Sequence, residues 1–271
     1  MEPWISVSST RDAARVDGRD GPARFEPARL EGFENGARFG VWWMPVESEP
    51  RGTVLCVQPL GDERRCARRV IAAQAWRLAA RGWAVLVPDL YGCGDSPGES
   101  AEITLGAWRN DLLRCAMLVR QRAPGPSVLW GVRAGALLGV DVAVALDQLV
   151  DAHLFWQAPE SGRAAADVLA ATSALPSRLL SALSELRMHA PATVERGSPP
   201  AVAFIEINPT PASLGDVSLP TRALAESWLD AGYVAGARAA RCPAFWDSAQ
   251  LARPLPDALF DATEDFLESI H

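Results

Sequence analysis

From Thr53 to Ile270, short apolar runs alternate with longer stretches of helical period. Thr53–Val57 stops at Pro59-Leu60-Gly61, and Trp83–Val87 at Pro88-Asp89. Between them, Val70, Ala73, Trp76 and Leu78 recur at helical spacing over Val70–Arg81, with Gly82 as the stop. The spacing predicts further strands at Ser127–Trp130, Leu149–Trp156, Ala201–Ile207 and Tyr233–Ala237. It predicts helices at Leu105–Arg122, Arg133–Leu146 and Asp257–Ile270. Strands separated by helices of about 10–15 residues form βαβ units, so the expected fold is α/β with a mostly parallel central sheet flanked by helices. Residues 1–35 read as a loosely ordered arm, and Arg38–Val46 as a first, edge strand. The stretch at about 160–198, rich in Ala, Leu and Ser, interrupts the alternation and reads as a helical cap inserted into a single domain, 36–271.

Composition narrows the partners. A formal charge of −7 argues against a nucleic-acid surface. No run approaches the roughly 18 apolar residues of a membrane span, and the N-terminus lacks the basic start and apolar core of a secretory signal. Five scattered cysteines, never in a C-x-x-C pair, suit a reduced cytoplasmic protein. Neither metal-ligand spacing nor a phosphate-binding glycine loop is present, so no metal or cofactor is expected.

In a doubly wound sheet, ligands bind beyond the carboxyl ends of the strands. Three segments there resemble the α/β-hydrolase fold. Asp89-Leu90-Tyr91-Gly92-Cys93-Gly94-Asp95-Ser96 follows its D-x-x-G-x-G-x-S turn. Leu60 and Gly61 stand where the fold makes its oxyanion loop. Gly131-Val132-Arg133-Ala134-Gly135 stands at the nucleophile elbow, G-x-S-x-G, with Ala134 following the nucleophile position and Gly131 and Gly135 relieving a crowded turn. The central residue, however, is Arg133, whose guanidinium stays protonated and cannot attack an acyl carbon. The fold places its catalytic His after the last strand, yet Arg241–Asp247 contains none. His153 reads as a structural strand residue, His189 as a cap residue and His271 as a frayed terminus. A Ser-His-Asp relay therefore cannot be written.

Other candidates remain. Cys93, Glu160 and Asp216 fall after strands and could supply a nucleophile or activate water, although each also has an ordinary structural reading. Arg64, Arg65, Arg68 and Arg69 crowd the start of the first helix; one of them, with Arg133, could form an anion pocket, or all could be a solvated face. The tryptophans near strand ends either fill the core or line an apolar groove.

The segments Arg51–Pro59, Arg68–Ala75, Asp89–Ser96, Leu129–Leu138, Phe155–Pro159 and Pro243–Trp246 are similar to the type 2 hydrolases associated with the exosortase A system. That group is related to the serine aminopeptidase-like α/β-hydrolases. The resemblance implies a bacterial cytoplasmic protein encoded beside exopolysaccharide and surface-protein sorting genes. Two functions compete. One is a hydrolase-fold protein without Ser-His chemistry that binds an acyl or anionic ligand, or a partner in the sorting or polysaccharide machinery. The other is an active esterase, thioesterase or peptidase with an unrecognised nucleophile or activated water. A homodimer is compatible with either.

Overall fold

The computed structural model describes residues 22–146, 149–191, 199–208, 217–248 and 254–270. Eight strands form one sheet: β1 (Ala23–Leu30), β2 (Arg38–Pro45), β3 (Gly52–Val57), β4 (Trp83–Pro88), β5 (Ser127–Val132), β6 (Ala152–Trp156), β7 (Ala201–Asn208) and β8 (Val234–Arg241). Their order is β1-β2-β4-β3-β5-β6-β7-β8. β1 and β2 run antiparallel, and β3 to β8 are parallel. The helices are α1 (Asp62–Ala80), α2 (Leu105–Arg122), α3 (Ala134–Ala143), α4 (Gly162–Thr172), α5 (Ser177–Ser184), α6 (Leu219–Asp230) and α7 (Asp257–Glu268).

The central parallel strands β3 to β6 are short, apolar and buried on both faces because helices cover each side. β3 and β5 are buried at every position. One core, containing Trp108, Leu137 and Phe155, lies under α2, α3 and the α4–α5 pair; the other, containing Ile71, Trp130, Trp156 and Phe260, lies under α1 and α7.

Several expectations need correction. The expected loose arm contains β1, which pairs with β2 across a turn holding Asn35 and Gly36, both at positive φ. β1 hides in the sequence because Arg24, Glu26 and Arg29 interleave with inward-facing Ala28 and Leu30. The strand at 38–45 is consequently internal, and β1 and β8 form the edges. α1 begins at Asp62, eight residues before its apolar period becomes regular, since it starts directly from the loop after β3. α3 ends at Ala143, β6 begins at Ala152, and β8 extends to Arg241. α6 was not anticipated, although Ser218 caps it and Pro220 sits in its first turn. The helices α4 and α5 follow β6 and precede β7 in the chain.

Candidate functional site

Arg133 joins β5 to α3 with φ 54° and ψ −132°, a backbone conformation that costs an ordinary residue about 1–3 kcal/mol and persists only where its surroundings enforce it. Its N–H donates to the Trp156 carbonyl at 2.9 Å, and its own carbonyl accepts from Ala136 N–H at 2.9 Å. A Cβ on Gly131 would lie 2.6 Å from Ala136 Cα, and one on Gly135 would strike the Val57 and Gln58 carbonyls. The two glycines thus let β5, α3 and the loop after β3 converge on one point.

From that point the Arg133 side chain crosses to α1. Its Nη2 and Nε donate to Glu63 Oε1 and Oε2 at 2.7 and 3.2 Å, a bidentate pair, and its guanidinium lies 4.5 Å from the Trp246 ring centroid. Arg133 is 19 % exposed and Glu63 8 %. The segment that in the resembled fold carries a histidine therefore provides an aromatic surface that holds the guanidinium. Arg64 is engaged elsewhere, with its Nη1 2.7 Å from Asp89 Oδ1. Arg133 and Arg64 do not combine into an anion pocket, because they line two separate cavities. Arg65, Arg68 and Arg69 lie on the exposed side of α1.

A cleft of about 310 Å³ opens beside the elbow. Arg133, Ala134 and Glu63 form one wall, Gln157–Glu160 a second, and Ala164, Ala165, Val168 and Leu169 of α4 a third. Gln157 was not singled out from the sequence. Its φ is 45°, its N–H donates to Ile205 O at 2.8 Å, and its Oε1 accepts from Ile207 N–H at 2.6 Å. Among the described residues only Asn35, Arg133 and Gln157 have positive φ without being glycine. Asn35 belongs to a hairpin turn; the other two line the cleft. No sequence signal marked Gln157, because its conformation follows from the β6–β7 pairing.

The other candidates do not converge here. Leu60 and Gly61 line a separate cavity of about 20 Å³, the size of one water, together with Cys93. The two cavities share no lining residue. Burial pushes the Cys93 thiol up to about 11, against a smaller opposing effect of Arg64. It is therefore a protonated thiol at neutral pH, with no described histidine in its cavity to activate it. Cys242 is likewise raised by burial, to about 12. Glu160 does line the cleft. Asp216 and His271 lie outside the described residues. His153 packs among Phe155, Trp228 and Tyr233, and His189 is exposed. Of the tryptophans near strand ends, Trp42, Trp130 and Trp156 are buried in the core.

The end of α4 meets the loop after β3. Gly61 begins α1 without a side-chain cap, and Ser173, at the end of α4, accepts a hydrogen bond from Asp62 N–H through Oγ at 2.9 Å. Among the described residues no cluster of His, Cys, Asp or Glu could hold a metal, and no helix is long and apolar enough to cross a membrane.

No protein-family model and no curated protein matches the chain. Solved structures do. Est1E from Butyrivibrio proteoclasticus, solved with bound ferulic acid, is 14 % identical with a TM-score of 0.59, covering 86 % of this chain and 95 % of its own. A thermostable carboxyl esterase from Bacillus coagulans is 11 % identical with a TM-score of 0.61, covering 91 % and 98 %. The thioesterase domain from the curacin biosynthetic pathway is 15 % identical with a TM-score of 0.54, covering 91 % and 100 %. The fold is that of the α/β-hydrolases.

Proposed function

We propose that this chain is an α/β-hydrolase-fold protein that has given up acyl transfer through the elbow and uses the adjoining cleft to bind a small ligand. The observation that carries this reading is the elbow side chain. Arg133 occupies the strained turn, is held by Glu63 and Trp246, and has no nucleophilic atom. Two strained residues on one cleft favour a site maintained for binding, since strain of this kind clusters where function requires it. The separation of Cys93 from the cleft speaks against that thiol as a substitute nucleophile.

The test is turnover of short and medium p-nitrophenyl acyl esters by the purified protein and by Arg133→Ala. The expected result is release at the uncatalysed rate from both. Turnover that persists in Arg133→Ala and disappears in Glu160→Gln would instead establish carboxylate-activated water and overturn the reading.

The finer assignment, to the type 2 hydrolases of the exosortase A system, rests on the six segments quoted above. Three of them supply cleft or elbow residues: Leu129–Leu138, Phe155–Pro159 and Pro243–Trp246. Under this assignment the protein serves surface-protein sorting or polysaccharide export from the cytoplasm. A deletion strain with unchanged sorting and polysaccharide output would sink it.

A further inference from the structure

Taking the cleft as a ligand site, we propose that its ligand is a small dipolar molecule, with a carboxylate or carbonyl oxygen at its inner end and a cationic amine at its outer end. The inner end is rich in donors. Ala134 is 5 % exposed and opens the ten-residue α3, so its N–H has no intrahelical partner and sits at the positive end of the helix dipole. Gln157 spends its Oε1 on Ile207 N–H, and its Nε2 has no hydrogen-bond partner among the described residues. Arg133 spends Nε and Nη2 on Glu63, which leaves Nη1. That same pair neutralises the Glu63 carboxylate, each of whose oxygens accepts one of its hydrogen bonds, so the wall presents no free negative charge.

The mouth has the opposite character. Glu160 is exposed and makes no hydrogen bond or ion pair among the described residues. Between the two ends runs the apolar face of α4, where Leu169 is 1 % and Val168 42 % exposed. A simple anion would satisfy the inner donors but meet a carboxylate at the mouth. A simple cation would satisfy Glu160 but meet donors within. A molecule carrying both groups on a short apolar body matches all three surfaces. The volume of about 310 Å³ lies at the small end of ligand pockets, which favours an amino-acid-sized molecule over a long acyl chain.

The experiment is a ligand-observed NMR titration of the full chain with hexanoate, hexylammonium and 6-aminohexanoate, repeated with Glu160→Gln and Val168→Trp. Both substitutions are at exposed positions, and thermal unfolding of each variant verifies the fold. The expected result is that 6-aminohexanoate binds about two- to fivefold tighter than hexanoate, the scale of a partly exposed ion pair. Glu160→Gln should erase that advantage by weakening 6-aminohexanoate, with hexanoate bound at least as tightly as before, and Val168→Trp should remove binding of all three. If hexanoate or hexylammonium binds as well as 6-aminohexanoate, or the advantage survives in Glu160→Gln, the dipolar ligand is wrong while the cleft remains a binding site. If none of the three binds, or Val168→Trp changes nothing, the binding-cleft reading falls with it.

Discussion

Arg133 places a fixed cation at the turn between β5 and α3, and its surroundings are arranged for that cation. A carboxylate engages its edge and an indole its face, while the backbone keeps the sharp geometry a nucleophile would need. Glu63 depends on the arrangement, because at 8 % exposure it cannot exchange its partner for water without cost. Removing one member of such a pair strands the other. Arg133→Ala should therefore lower the unfolding free energy by about 2–3 kcal/mol in urea titrations, and the double variant with Glu63→Gln should recover most of the loss. Equal midpoints for Arg133→Ala and the parent would show that the pair contributes nothing. Sequence spacing located Arg133 and its glycines but not Glu63. The run Asp62–Arg69 contains four arginines that draw attention to anion binding, whereas the residue facing the cleft is the acid among them.

At the scale of elements, the end of α4 is tied to the start of α1. α1 starts from a glycine that can offer no capping side chain, and Ser173 of the neighbouring segment supplies one from across the cleft. The substitution Ser173→Ala should cost about 0.5–2 kcal/mol, as loss of a helix cap does. Hydrogen exchange should report faster opening of both the α1 start and the α4 end; acceleration confined to α4 would refute the cross-cleft cap. Legibility varied among the elements. The bounds of α2 follow from the sequence because Thr104 caps its start and Pro124-Gly125 follows its end. β1 was hidden by charged residues on its solvent side, and β8, mostly exposed and built of Ala, Gly and Arg, showed only its first half.

For the whole molecule, closure depends on joining the first helix to the last. Glu264 of α7, 3 % exposed, accepts from Arg77 of α1 at 2.5 Å and pairs with Arg81 at 2.8 Å. Asp261 and Glu268 extend the contact at the surface. Arg77 and Glu264 are 187 positions apart, so the network closes most of the chain into one body over the core of α1 and α7. Glu264→Ala leaves two half-buried guanidinium groups without their shared partner. It should destabilise the protein by about 3 kcal/mol in urea unfolding while preserving a single cooperative transition. A separate early transition for α7 would show that the terminal helix is instead an independent unit.

Apolar runs and helical periods by themselves determined the layered α/β architecture, because alternation depends only on which side chains must leave water. They also determined that the elbow has no nucleophile, since that is a matter of residue identity at Arg133. Tertiary structure alone decided which charges meet. Glu63, Arg133, Gln157 and Trp246 come from four separate segments, after β3, β5, β6 and β8, and their approach depends on the order β3-β5-β6-β7-β8 across the sheet. Local sequence carries no record of distances between strands. The pairing that neutralises Arg133, and the Glu160 carboxylate that has no partner among the described residues, are therefore properties of the folded sheet.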